Sequence, residues 1–328
     1  MNKLRIGIIG GGYMAGVHAK NLSTLENVEI AAICDLIVKP ENLIDTYGIK
    51  LYFKDFKKML DEANLDAIVI TIPPFAHSGE VEYAAEKGVH VFLEKPIALT
   101  VERAESMANA VKKAGVQSMV GYMMRYGFAV SKLKCMINSG EAGRITLMDA
   151  RYECNSLHTP WWKIKEKSGG QILEQIIHLY DMGLFLAGQP KSAVGFVANL
   201  CHTDVEGYTI EDTSSGIVTF ENGAIASICG TNCAVPMQWN GLFTVVCKNV
   251  TVHFKDPNNA EFIYTSGPEP VVEVVSSDNN LYLEEMKAFI DLISGKDIKV
   301  STIADGLTGL KMVDGVTNSN GQIKYFQN

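Results

Sequence analysis

Residues 4–35 read LRIGIIGGGYMAGVHAKNLSTLENVEIAAICD, and the order of elements within them decides the fold. Leu4 to Ile9 is a mostly apolar, isoleucine-rich run of the kind that forms a strand buried on both faces. Glycines follow at once: Gly10, Gly12 and Ala15 satisfy G-x-G-x-x-G/A. In that pattern the first position permits a tight turn, the second lets backbone approach a pyrophosphate, and the third lets the new helix lie close to the strand. The helix that begins here, at Tyr13 and Met14, points its N-terminus at the phosphates. A second strand, Val28 to Cys34, ends at Asp35, 25 residues past Gly10, where a carboxylate accepts from an adenosine ribose hydroxyl. A 2′-phosphate about 4 Å from that carboxylate would be repelled by up to ~4 kcal/mol per charge at an effective dielectric near 20. The stretch therefore predicts NAD, with NADP possible because the nearby Lys39 offsets part of the repulsion.

The chain has 328 residues, the length of two domains, and its 47% hydrophobic content gives ample core. Its 37 acidic residues against 29 basic leave a net charge of −8, which argues against binding a phosphate backbone, so no nucleic-acid partner is expected. The sequence enters its first strand without a basic and apolar leader, and no apolar run approaches membrane-spanning length; a cytoplasmic protein without membrane contact is expected. Seven cysteines without a C-x-x-C fit a reducing compartment. Cys229 and Cys233 lie four apart with no His or Cys pair nearby in metal-ligand spacing, so no metal site is expected.

Past Asp35, helix and strand signals alternate as a doubly wound parallel sheet requires. Pro40–Tyr47 begins with proline and stops before Gly48, and Asp55–Ala63 begins with an acid. Asp66–Ile72, DAIVITI, reads as a strand buried on both faces; its end carries Thr71 and runs into Pro73-Pro74. Two prolines at the carboxyl end of a central strand form either a rigid turn over a cofactor crevice or a plain helix entry. For His77, a helix cap and a ligand contact are both open readings. Ser78–Lys87 is the next helix and Val89–Leu93 the next strand, ending in Glu94-Lys95-Pro96. An ammonium at that strand end can stabilise an oxygen gaining negative charge, and the proline keeps the lysine backbone extended. A surface pair of Glu94 with Lys95 accounts for the same residues. The helix Thr100–Ala114 and the strand Gln117–Tyr122 close a first domain, expected over residues 1–122.

From Tyr122 the alternation ends. Phe128–Asn138 reads as a bridging helix and Arg144–Cys154 as the first strand of a new sheet. Asn155–Gly170 holds His158, Trp161, Trp162 and Ser168-Gly169-Gly170; it is either a loop over a pocket, with Trp162 against substrate, or a set of packing anchors. Gln171–Ala187, QILEQIIHLYDMGLFLA, is apolar on nearly every face and predicts a buried helix, with Ser168 as start signal and Gly188 and Pro190 as stops. Glu174, His178 and Asp181 share one stripe of it, at spacings of four and three. Buried ionisable groups need a partner or a use. The set is either a self-satisfied hydrogen-bond ladder or a proton-transfer site facing a nicotinamide. Between Lys191 and Val275 several short segments with turn punctuation, including the hairpin signal Glu221-Asn222-Gly223, predict a large, mostly antiparallel open sheet. Leu281–Ser294 and Ile303–Asn318 are closing helices of a second, α+β domain over residues 123–328.

Gly10-Gly11-Gly12-Tyr13-Met14-Ala15 with His18, then Glu94-Lys95-Pro96, then Gly169-Gly170 leading to Glu174 and His178, resemble the Gfo/Idh/MocA oxidoreductase family over almost the whole chain. The resemblance implies an N-terminal Rossmann domain and a C-terminal α/β domain whose open sheet makes homodimer or homotetramer contacts. It implies a sugar or polyol substrate, Lys95 as the catalytic lysine and His178 as the proton-transfer residue. Tyr122 and Arg125, in Gly-Tyr-Met-Met-Arg-Tyr, match a segment that lines the nicotinamide and substrate. Expected cofactor contacts are thus Gly10, Gly12, Tyr13, Met14, Asp35, Thr71, Pro73, Pro74, His77, Glu94, Lys95 and Arg125. Substrate contacts are Lys95, Tyr122, Arg125, Trp162, Glu174 and His178. Many family dehydrogenases carry Asp where this chain has Glu174, which changes the pocket by about a methylene; Glu174 then binds substrate hydroxyls or orients His178. The expected reaction passes a hydride between a secondary alcohol and nicotinamide, with Lys95 and His178 converging on one hollow. Two rivals share the scaffold: a glycoside-cleaving enzyme that oxidises its sugar transiently, and a cofactor-responsive regulator without turnover.

Overall fold

The computed structural model describes residues 3–157 and 159–326. Two compact units divide the chain, Met1–Met123 with Asn280–Leu307, and Met124–Asn279 with Thr308–Asn328. In the first, β1 (Leu4–Ile9), α1 (Tyr13–Leu22), β2 (Val28–Cys34), α2 (Glu41–Tyr47), β3 (Leu51–Phe53), α3 (Phe56–Glu62), β4 (Ala67–Ile70), α4 (Glu80–Glu86), β5 (His90–Leu93), α5 (Val101–Ala114) and β6 (Ser118–Val120) follow in alternation. All six strands are parallel, in the order β3-β2-β1-β4-β5-β6. The order reverses between β1 and β4, and the crevice of such a sheet lies at the carboxyl ends there. Ile6, Ile8, Ile68, Val69, Val91 and Phe92 are wholly buried, the reason these strands read as unbroken apolar runs.

Helix ends follow their local signals. Asp55 accepts from the Lys57 amide ahead of α3, the Thr100 hydroxyl accepts from the Arg103 amide ahead of α5, and Gly48 and Gly115 close α2 and α5 in the left-handed conformation. β3 has no counterpart among the expected elements, since its three residues at a sheet edge are too few to show a period. β4 is shorter than expected: the strand stops at Ile70 rather than Ile72, and Pro74–Ala76 winds as a short 3₁₀ turn.

The second unit begins with α6 (Phe128–Ser139), β7 (Ile145–Cys154) and the short α7 (Lys165–Ser168). A π-helical turn, Ile172–Ile176, then runs straight into α8 (Ile177–Ala187). Seven strands follow: β8 (Pro190–Ala198), β9 (Thr213–Phe220), β10 (Ile225–Thr231), β11 (Trp239–Cys247), β12 (Val250–Asp256), β13 (Asn259–Tyr264) and β14 (Val271–Val275). The chain next gives α9 (Leu281–Ile293) to the first unit, where it lies against α1. α10 (Ile303–Thr317) and β15 (Lys324–Tyr325) end it.

The nine-stranded sheet has the order β14-β13-β12-β11-β7-β10-β9-β8-β15. It is antiparallel except where β7 meets β10. Along β9 burial alternates, with Ser214, Gly216, Val218 and Phe220 inward, which gives the sheet one covered and one open face. Glu221-Asn222-Gly223 turns β9 into β10 as expected, with Gly223 at φ +87°. No helix among the described residues is long and apolar enough to cross a membrane.

Candidate active site

At the end of β1 the chain reverses through Gly10. Its φ is +96°, and a Cβ there would lie 2.9 Å from Thr71 Oγ1, so only glycine fits without strain. Gly12 is the opposite case: its φ of −80° suits any residue, and nothing lies within 4 Å of where its Cβ would be. α1 starts from this glycine with no side-chain cap and no acid in its first turn, so its leading amides are left for an outside acceptor. A hollow of about 510 Å³ opens over them, lined by Gly11, Gly12, Tyr13, Gly16, Lys20 and Asn42 among others. A positive helix end under open space is the local chemistry a pyrophosphate requires.

Asp35 fastens the other side of this turn. Its Oδ2 accepts from the Gly11 amide at 2.7 Å, and its Oδ1 from the amides of Ile37 and Val38 at 2.8 and 3.0 Å. An ionised carboxylate offers about four acceptor positions, so three amides fix it and leave capacity for a hydroxyl. Leu36, Ile37 and Val38 beside it are 79, 89 and 66% exposed. Three exposed aliphatic residues in a row form an apolar shelf that is not among the expected site residues. The signal was present in Leu-Ile-Val outside any strand or helix pattern. Lys39 reaches back to Glu41 at 3.8 Å.

Thr71 donates its hydroxyl to the carbonyls of Ile9 and Gly10, clasping β4 to the turn. Pro73 is half-buried and Pro74 buried in the 3₁₀ turn. The His77 ring faces Glu80 at 3.4 Å, while Glu80 also accepts from the Ser78 amide and hydroxyl and the Gly79 amide. Burial pushes the Glu80 carboxyl up, but those hydrogen bonds win and hold it at about 2. His77 thus braces the entry to α4. At the end of β5, Glu94 turns inward: the Nε2 of the buried His18 donates to its Oε1 at 2.6 Å, and the Lys95 amide donates to its Oε2 at 3.1 Å. The acid ties the lysine's backbone to α1, rather than sitting on the surface. Lys95 itself is half-buried ahead of a cis peptide to Pro96, and Tyr122 is wholly buried past β6.

In the second unit Gly169 and Gly170, at φ +76° and +105°, turn the chain out of α7, and a Cβ on Gly170 would lie 2.5 Å from the Glu211 carboxylate. Glu211 is the true start signal of the next helix: it accepts from the Ile172 amide at 3.0 Å and pairs with Lys165 at 3.0 Å. Ser168, expected in that role, ends α7 and accepts from the Gly170 amide instead. The helix then opens wide. Glu174 lies in the π turn, and His178 and Asp181 in α8, so the single stripe predicted at regular α spacing is interrupted after Glu174.

Each acid is held from outside the helix. The Trp162 indole N–H donates to Glu174 Oε2 at 2.8 Å, and the Arg125 guanidinium forks onto both oxygens of Asp181 at 2.8 and 2.5 Å. A self-contained ladder is therefore not needed to explain their burial. Trp162 is 1% exposed and packs with Tyr208 and Ile210, as an anchor would. Arg125, expected against cofactor and substrate, is buried on Asp181 and over the Phe185 ring. His178 is buried as well, and His158 lies outside the described residues.

The model for the oxidoreductase family with an NAD-binding Rossmann fold matches residues 4–122, and the Gfo/Idh/MocA C-terminal domain model matches residues 130–253. D-glucoside 3-dehydrogenase of Escherichia coli (strain K12) is 26% identical, covering 92% of this chain and 91% of its own. scyllo-Inositol 2-dehydrogenase (NAD(+)) of Bacillus subtilis (strain 168) is 29% identical, covering 69% of this chain and 67% of its own. The solved complex of levoglucosan dehydrogenase with NADH and levoglucosan shares the fold, with a TM-score of 0.89 at 20% identity over 100% of both chains. With both of its characteristic domains matched in order, the chain belongs to the Gfo/Idh/MocA family of oxidoreductases.

Proposed function

We propose that this chain is an NAD-dependent dehydrogenase acting on a secondary alcohol of a sugar, polyol or sugar derivative. The observation that supports it most is the buried helix carrying Glu174, His178 and Asp181: both acids have partners from elsewhere in the chain, Trp162 and Arg125, so their burial does not depend on the imidazole. The turn at Gly10–Gly12 fits the dinucleotide, because its helix end is uncapped and a side chain at Gly12 would fill the space a phosphate takes. Bound NAD supplies the hydride acceptor. The leading amides of α1, at Tyr13 and Met14, would hold the pyrophosphate, Asp35 would accept from the ribose, and the Leu36–Val38 shelf would offer the adenine an apolar surface. With Lys39 drawn to Glu41, the carboxylate at position 35 disfavours a 2′-phosphate.

His178 takes the hydroxyl proton, and the Lys95 ammonium steadies the oxygen as negative charge develops on it. Glu174, fixed by the indole, orients His178 or binds a neighbouring hydroxyl. Arg125 acts by holding Asp181. The same chain forms a homodimer or homotetramer through the open face of its large sheet, where Leu147, Ile217 and Ile225 lie exposed; light scattering of the purified protein reads this directly. The central test is a sugar and polyol panel followed at once for nicotinamide absorbance and for glycosidic cleavage. Lys95→Ala and His178→Ala are each expected to lower kcat by ~10²–10⁴-fold, roughly 3–5 kcal/mol, with NAD binding intact. Near-normal turnover in both variants would sink the assignment, and released sugar without net NADH would replace it by the cleavage reading.

A further inference from the structure

Away from these residues, the loop between β8 and β9 places two thiols and an imidazole together. Cys201 and His202 come from that loop and Cys233 from the segment just past β10, and their ligand atoms all lie within 4.8 Å of one another. We propose that Cys201, His202 and Cys233 bind a zinc ion, with water in the fourth position, and that the ion staples the 199–212 loop to the end of β10.

Three features of the surroundings carry this. Asp212, wholly buried, accepts from the amides of Leu200, Cys201 and His202 at 2.7–3.1 Å, so the backbone bearing two of the ligands is already set. The third ligand is set from the other side: the Asn232 amide donates to the Asp212 carbonyl, its side chain is bonded to the Ser156 backbone, and the Cys233 amide donates to Thr231 Oγ1. Lastly, His202 Nε2 lies 3.0 Å from the Asn232 carbonyl. The shorter of its two contacts decides its role: a carbonyl only accepts, so Nε2 donates there, with the Asn232 side-chain amide farther off at 3.4 Å, and Nδ1 keeps its lone pair. Zinc-binding histidines are oriented in this way, with the second ring nitrogen donating to a backbone carbonyl.

The donor set chooses the metal. Two thiolates and an imidazole are too soft for calcium or magnesium and suit zinc, whose bonds of about 2.3 Å to sulfur and 2.0–2.1 Å to nitrogen put ligand atoms roughly 3.5–3.8 Å apart. The exposed Cys201 gives the ion its route in and leaves room for water. Binding releases one proton from each thiol, so affinity rises with pH. Such a set carries no motif in the sequence, because Cys233 lies 31 residues past His202 and only the pair 201–202 is adjacent. The consequence is structural: Tyr208 and Ile210, on the stapled loop, pack against Trp162, and the Tyr208 ring also lies tilted against His202 at 4.8 Å between ring centres.

The test uses the full-length protein, reduced and freed of metal with a chelator, then titrated with zinc chloride and, in parallel, cobalt chloride. One equivalent of zinc should bind and raise the unfolding midpoint, and cobalt should give a thiolate charge-transfer band. Cys201→Ser, at an exposed position, and His202→Ala should each weaken zinc at least about 100-fold, beyond the loss caused by removing an outer-shell partner. Cys135→Ser, at an exposed cysteine outside the cluster, should leave binding unchanged. Absence of a bound equivalent in the reduced protein, or equal zinc affinity in Cys201→Ser and the parent, overturns the proposal; so does a Cys201–Cys233 disulfide on mass mapping of protein that binds no metal when reduced.

Discussion

Glu80 and Asp181 are both buried carboxylates, one in each unit, and the chain satisfies them by different routes. Glu80 collects its donors from residues 77–79, immediately before it. Asp181 depends on Arg125, 56 residues earlier. The same division holds for helix starts: Asp55 and Thr100 cap their own helices, whereas the helix at Ile172 is capped by Glu211 from 39 residues further on. Local solutions tie a charge to a turn that the sequence itself specifies. Distant ones tie the proposed catalytic helix to the folding of its whole unit, so its geometry is only as secure as that unit.

Arg125 gives the largest expected effect on stability. Arg125→Ala leaves Asp181 charged and buried with no guanidinium beside it, and removing one member of a buried pair costs about 3–5 kcal/mol. A urea titration of the second unit's transition should show that loss. Replacing both, as Arg125→Met with Asp181→Leu, should recover most of it, because the penalty comes from the unpaired charge. If the single variant lost under about 1 kcal/mol, the pair would not be what stabilises this helix.

That contrast also explains what could be read from the chain. The glycine turn, the acid at the start of the Asp55 helix and the parallel alternation of the first sheet rest on residues within a few positions of one another, or on strand and helix periods, and sequence shows both. The π turn at Ile172–Ile176, the cap from Glu211 and the commitment of Arg125 to Asp181 were not legible. An α period was assumed for a helix whose first turn is set by a remote carboxylate. An arginine in a recognisable motif carries no mark of which acid it will meet. β3 was missed for another reason, since three edge residues hold too little pattern to register.

Glu80 tests the local half of the comparison through pH. Its folded carboxyl is held at about 2 against an ordinary value of 4.5, so the folded state prefers the ionised form. Its stabilising contribution is complete above about 4.5 and disappears as pH falls to about 2, and the depression is worth about 3 kcal/mol at most. Glu80→Gln should therefore flatten stability against pH across that window in chemical denaturation, while leaving the Arg125 variant's deficit at neutral pH unchanged. An acid limb as steep in Glu80→Gln as in the parent would move the charge response elsewhere.

The smallest stability change, and the sharpest separation of fold from function, belongs to the glycine turn. Gly10→Ala has to place a Cβ 2.9 Å from Thr71 Oγ1 at a φ of +96°, a strain of about 1–3 kcal/mol that should appear in the unfolding midpoint with or without cofactor. Gly12→Ala meets neither obstacle, since its φ is −80° and its Cβ points into open space. Its midpoint should stay within about 0.5 kcal/mol of the parent, as for a surface change free of strain. Yet the added methyl occupies the space over the α1 amides, so NAD affinity measured by calorimetry should fall at least about tenfold, a loss of 1.4 kcal/mol or more. Two substitutions of one type, two residues apart, would then divide cleanly, one reporting on the turn and the other on its ligand. Equal NAD affinity in Gly12→Ala and the parent would mean that the pyrophosphate does not approach this backbone, and that the hollow above it holds something else.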